Sequence, residues 1–194
     1  MKKLLFILSL IALSLCTEEK KKLGYSRGGA VDYARNWALS ANHDCNGDYL
    51  SCSPASYFGS EHCGYESHGG DCANFVSQCL VFGGGHENLS GSDNCRGYPC
   101  GFEEPGAGRL SYCLQERGWS STCDYLMAPP DYIQEGDVLI YHTGSCSDWD
   151  AHAVFVTQGG SDALIACHSN EHLDISYTYM GNSMPYYEWI HFNG

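Results

Sequence analysis

No lysine occurs after Lys22, and from Leu23 onward five arginines face 21 acidic residues, a net of −16. Without a basic stripe there is nothing to track a phosphate backbone, which argues against a nucleic-acid partner. An anionic membrane surface is disfavoured for the same reason. No apolar run beyond the N-terminus is long enough to span a bilayer, so no stable membrane association is expected. Cys-x-x-Cys is absent, and Cys95 and Cys100 have no histidine pair at finger spacing. Disulfides therefore explain the cysteines better than zinc, despite nine histidines, and no metal or cofactor is expected. Internal repeats and long linkers are also missing. What remains is 194 residues, 43% apolar and 17% charged, enough for one domain with a real core, expected as a monomer.

The first residues read as an address. Lys2 and Lys3 precede an apolar run from Leu4 to Leu15, followed by small or polar residues. This is a secretory signal over residues 1–16 with cleavage before Thr17, a spacer over 17–24 and one domain over 25–194. Acylation of Cys16 fits less well because Leu15 is bulky, and an uncleaved anchor ranks below secretion. Cleavage leaves eleven cysteines for an oxidising compartment. Eleven is odd. Ten could form five bridges and leave Cys72 alone, or Cys72, Cys79 and Cys167 could all stay thiols beside eight bridged.

Hydrophobic spacing predicts a helix over Ser26–Ala41, with Ser26 as cap, and a second over Asp71–Phe82, stopped by Gly83, Gly84 and Gly85. A short helix over Leu110–Arg117 closes at Gly118. Residues 42–70 and 91–108 read as disulfide-tied loops. After Pro129 and Pro130 the pattern turns to strands: Val138–His142, His152–Thr157, Ala163–His168 and Tyr186–Phe192. Helices first and an antiparallel sheet after them make an α+β domain.

Cys72 stands at the first turn of its helix, where backbone N–H groups and the dipole favour a thiolate. A half-cystine that happens to start a helix is the bland alternative. His152 opens an apolar strand. A turn centred on Gly160 would pair Val156 with Leu164, Val154 with Ala166 and His152 with His168. Partners so placed lie about 4.5–5.5 Å apart at Cβ, close enough for His168 to orient the His152 ring. Asn170 is the fallback orienter. Cys72 would attack an amide carbonyl, with His152 serving as general acid and base. Trp149 is read as a possible wall of the cleft, the tyrosines between 177 and 187 as packing under the sheet, and His142, His172 and His191 as structural or exposed. Asn88-Leu89-Ser90 is a glycosylation sequon, a common chance triplet.

Several blocks resemble a known family. Tyr25, Arg27, Ala30-Val31 and Tyr33-Ala34 look like the first-helix signature of the putative amidase domain family, a branch of the NlpC-like hydrolases within the papain-like cysteine peptidases. Asp71-Cys72-Ala73-Asn74-Phe75-Val76-Ser77-Gln78-Cys79-Leu80 is similar to its nucleophile helix. Gly136-Asp137-Val138-Leu139-Ile140 matches the strand that opens its sheet, and His152-Ala153-Val154-Phe155-Val156-Thr157 and Ala166-Cys167-His168-Ser169 resemble its histidine strands. The resemblance implies a papain-like fold, N-terminal helices carrying the nucleophile on an antiparallel sheet. It implies Cys72 as nucleophile, His152 as base, His168 as third polar residue and peptide bonds of peptidoglycan stem peptides as substrate. The cysteines at 45, 52, 63, 95, 100, 123 and 146 depart from that pattern, and the acidic body would repel anionic wall polymers. The competing expectation is an inactive, secreted, disulfide-rich binding protein of the same fold.

Overall fold

The Ser26 hydroxyl oxygen accepts from the Gly29 N–H at 3.2 Å and caps helix α1, Arg27–Trp37. The computed structural model describes residues 24–39, 72–86, 89, 106–168 and 171–194. Residues 1–23, 40–71, 87–88, 90–105 and 169–170 lie outside, and with them the expected signal, most of the expected loops, Asp71 and two of the three sequon residues. Helix α2, Cys72–Gln78, continues without a break into a π-helical turn, Cys79–Gly83. Sequence spacing predicts a single α-helix there. At that turn α1 and α2 meet backbone to backbone: a Cβ on Gly29 would lie 2.5 Å from the Gly83 carbonyl oxygen. Glycine alone permits so close an approach. Helix α3, Ala107–Glu116, starts three residues earlier than its spacing predicts.

Six strands follow: β1 Ser120–Tyr125, β2 Val138–His142, β3 Ala151–Gln158, β4 Leu164–Cys167, β5 His172–Ser176 and β6 Tyr186–His191. Their order in the sheet is β1-β6-β2-β3-β4-β5, with every pair antiparallel. The α+β class expected from the strand and helix pattern is the class observed. Sequence reading missed β1 and β5, which edge the sheet and whose partly exposed residues carry little apolar alternation.

Alternation along the strands divides the interior into two cores. On the helix side, Ala30, Phe75, Val76, Leu80, Leu110 and Leu114 meet Val138, Ile140, Ala153, Phe155 and Ile190. Fully burying a side chain such as Phe75 is worth about 1.5–3 kcal/mol. On the far face Leu139, Tyr141, Val154, Ile165, Tyr187 and Trp189 pack beneath Met127, Ile133, Tyr177 and Met184. The aromatic stretch therefore packs under the sheet, as expected, with Tyr177 against Trp189 at 5.5 Å between ring centroids. No helix among the described residues is long and apolar enough to cross a membrane.

Candidate active site

Cys72 is the first residue of α2, buried against the helix-side core with 9% of its surface exposed. Cys72, Cys79 and Cys167 are all thiols, so Cys72 does not stand alone as the expected single thiol. Cys123 and Cys146 form a disulfide, and Cys113 is bridged as well. Burial pushes the Cys167 thiol up to about 12, with the Cys72 charge adding to the effect, and burial also pushes Cys79 well up. Those two sulfurs stay protonated at neutral pH.

His168 is wholly buried. Its ring stacks on Phe75, 4.0 Å between centroids and 19° from parallel, one turn along α2 from Cys72. Its Nε2 lies 2.9 Å from the Trp37 carbonyl oxygen, which can only accept, so Nε2 carries a proton and donates it. Asn170 lies outside the described residues.

The hairpin register differs from the one expected. Val156 pairs with Ile165, not Leu164, and Phe155 rather than Val154 pairs with Ala166, with a bulge between Val156 and Gln158. The bulge takes up one residue near the turn, and a one-residue slip exchanges the faces of a strand. Continued past these pairs, the register puts His168 across from Ala153 on the helix side. His152 is thus not the cross-strand partner of His168.

His152 instead pairs with Tyr141 of β2, and their rings lie 15° from parallel at 6.3 Å. Tyr141 and Val154 belong to the far-face core, and His152 alternates with Val154. Burial, aided by the charge of His172, lowers His152 from 6.5 to about 4. Its imidazole is therefore neutral at ordinary pH. Cys72 belongs to the helix-side core and Cys167 to the far-face core, and the Cys72 charge adds to the upward shift of the Cys167 thiol. Cys167 pairs with His172 and receives its backbone N–H, and His172 in turn acts on His152. Cys167 ends β4, His172 opens β5 and His152 is the second residue of β3, so these three share one end of the sheet. Sequence reading set His172 aside as structural or exposed, because its strand lacks clear alternation.

The first-helix signature serves the scaffold. Arg27 Nη1 donates to an Asp137 oxygen at 2.6 Å and to the Glu135 carbonyl at 2.8 Å, and Nη2 donates to the Phe192 carbonyl at 2.9 Å. The Tyr25 hydroxyl donates to the Gly136 carbonyl at 2.6 Å. Asp137 is fully buried and also accepts from the Gln134 N–H, the Phe192 N–H and His191 Nδ1. Gly136 has φ +87°, and a Cβ there would press on Arg27 at 3.0 Å.

A second buried polar cluster lies under α3. His142 Nδ1 is 2.9 Å from the Asp148 carbonyl, and Nε2 is 3.0 Å from Glu188 Oε2. Glu188 Oε1 accepts from the hydroxyls of Ser111 and Ser121 and from Gln115. The Asp148 carbonyl can only accept, so His142 Nδ1 donates to it and Nε2 faces the Glu188 carboxyl. Burial alone would lower His142, but its bonds to Glu188 and Asp148 outweigh this and raise it. Burial likewise opposes the Glu188 charge, yet hydrogen bonds from His142, Ser111 and Ser121 hold its carboxyl low. Among the described residues, no three or more His, Cys, Asp or Glu side chains are grouped to hold a metal ion.

No curated protein matches this chain. No solved structure matches it either. Residues 24–192 do match the family described as a putative amidase domain. The matched span begins beside Tyr25 and ends on Phe192, both part of the lock around Asp137 that joins α1 to the sheet. The match therefore takes in the whole described fold, and the chain belongs to the putative amidase domain family.

Proposed function

We propose that this protein is a secreted cysteine amidohydrolase or peptidase in which Cys72 is the nucleophile and His152 the base. Membership of an amidase family supports hydrolysis of amide bonds in general. The observation that carries the thiol reading is the site of Cys72: a thiol at the first residue of a helical run. A helix start favours the thiolate through its unpaired N–H groups.

As the Cys72 sulfur attacks the substrate carbonyl carbon, neutral His152 takes the thiol proton. The C–N bond then breaks, and the imidazolium returns that proton to the leaving amine, leaving a thioester. Water attacks the thioester, His152 takes a proton from it, and collapse releases a carboxylic acid and restores the Cys72 thiol. His168 or Asn170 supplies the third polar group. Lys2, Lys3 and the apolar run behind them support export, and the many cysteines suit an oxidising compartment. The NlpC-like, papain-like resemblance points to peptidoglycan stem peptides as substrate.

One observation favours the inactive, binding reading: His152 packs with Tyr141 on the far face of the sheet. Iodoacetamide labelling and Cys72→Ser decide between them. The enzyme reading expects Cys72 to label fastest of the thiols, titrating below the free-cysteine value of about 8.5. It also expects Cys72→Ser to abolish hydrolysis of peptidoglycan and peptide substrates with the melting temperature unchanged. Full turnover in Cys72→Ser, or a wild-type protein inert on every amide offered, would end it. Comparing His152→Ala with His168→Ala then assigns the base.

A further inference from the structure

Between α3 and the β1, β6 and β2 strands lies a cavity of about 260 Å³, floored by the His142–Glu188 pair. The pair cannot run a second hydrolytic triad. Both His142 nitrogens are engaged, and the Ser111 and Ser121 hydroxyls point at Glu188, not at the imidazole. A buried floor whose side chains hold one another in place serves as a rigid polar base for something bound above it, with acceptor capacity left on Glu188 Oε2.

The rim is aromatic. Tyr112 and Trp149 are 42% and 63% exposed, and their rings lie 5.6 Å apart, 31° from parallel. Trp149 rests on Gly108, where a Cβ would come within 3.3 Å of its ring. Its loop is held firmly: Asp148 Oδ2 accepts from the Thr143 hydroxyl and the Gly144 N–H, and Oδ1 accepts from the Asp150 N–H. The Cys123–Cys146 disulfide ties the same loop to β1. Two large apolar surfaces are therefore kept in water at a fixed spacing, at no ordering cost to a ligand.

Charge narrows the ligand. Backbone N–H of Asp150 and then the Thr143 hydroxyl hold the Asp148 carboxyl below the usual range, so the mouth is negative and repels anions. The carboxylate oxygens of Asp148 and Glu188 already face internal donors, which leaves no bare carboxylate to draw in an ammonium. Pockets for drug-sized ligands hold about 300–1,000 Å³, so this one suits a single ring. A neutral ring with an apolar C–H face for the aromatics and hydroxyls for the polar floor is a sugar.

We propose that the cavity under Tyr112 and Trp149 is a binding site for one neutral sugar ring, separate from the Cys72 thiol. The test is calorimetric titration of the full chain with triacetylchitotriose, and with butylammonium as a cationic control. Saturable binding of the saccharide is expected at millimolar concentration or below. Trp149→Ala and Tyr112→Ala should each weaken it about tenfold, the worth of one aromatic contact. Both side chains are exposed, so melting temperatures should hold. Cys72→Ser must bind like the wild type, which keeps a failure of sugar binding distinct from a failure of hydrolysis. No saturable heat with the saccharide, equal binding by both aromatic variants, or binding of butylammonium in its place would each overturn the proposal.

Discussion

Replacing His152 with glutamine removes one titrating ring from the interior and keeps a polar side chain of similar reach. In the folded protein burial, assisted by His172, lowers this imidazole to about 4. In the unfolded chain it titrates near 6.5. The folded value is the lower one, so between those pH values the unfolded chain binds the extra proton and acid favours unfolding. Stability is fully present above about pH 6.5 and is lost progressively as the pH falls to about 4. The gap of about 2.5 units at 1.36 kcal/mol each amounts to roughly 3 kcal/mol. Urea unfolding of wild type and His152→Gln at pH 7.5, 5.5 and 4 should show the variant gaining about that much on the wild type by pH 4, or about 1–3 M in midpoint. Taking the difference between the two proteins cancels the acid response of their carboxylates. Parallel pH profiles would refute the burial of a neutral ring. The same value enters catalysis: with His152 as base, the acid limb of kcat/KM belongs near pH 4, and a limb at 6.5 would assign the proton to another group.

Asp137→Ala strands the Arg27 guanidinium and the N–H groups of Gln134 and Phe192, at a cost of about 3–5 kcal/mol. In calorimetry that is a melting point lower by about 10 °C, with the activity of the folded fraction unchanged; a fall under about 2 °C would mean the lock contributes little. For the His142–Glu188 pair the signs oppose. The Glu188 share is present above the free carboxyl value of 4.5 and lost as the pH falls through its lowered folded value; the His142 share is present below 6.5 and lost as the pH rises through its raised one. Glu188→Gln leaves His142 buried without its carboxylate, so its titration, followed by NMR, should drop below that of the wild type. An unchanged His142 titration would show that the carboxylate does not hold the charge.

Much of this fold can be read from the chain because periodicity and punctuation agree. Ser26 caps where its type says it should, Gly118 ends α3 in a left-handed conformation, and Val138–His142 is a strand of the expected bounds. The π-helical turn escaped because apolar spacing over five residues does not tell it from an α turn, whereas the bond from the Gly84 N–H to the Cys79 carbonyl, five residues back, does. Cys72 could be placed because it combines a helix start with an odd cysteine count. Glu188 and His142 could not be joined, since 46 residues separate them in the chain and neither strand carries a mark of its neighbour. Their bond exists only because β2 and β6 lie side by side.

The hairpin shows where sequence reading fails for a physical reason. Val154, Phe155 and Val156 are all large and apolar, so either register buries a good set and composition cannot choose. The bulge between Val156 and Gln158 chooses, and by one residue it sets His168 beside Phe75 and His152 beside Tyr141. The two rings then differ in kind: His168 is fixed by a carbonyl and an aromatic face within the helix layer, while His152 is a neutral ring at the sheet end. A fixed ring suits orientation and a neutral one suits taking a proton. Deleting Thr157 would bring Gln158 next to Val156 with their partners Leu164 and Ile165 already adjacent, so both rings should keep their faces, and a changed His152 titration in the folded variant would refute that reading of the bulge.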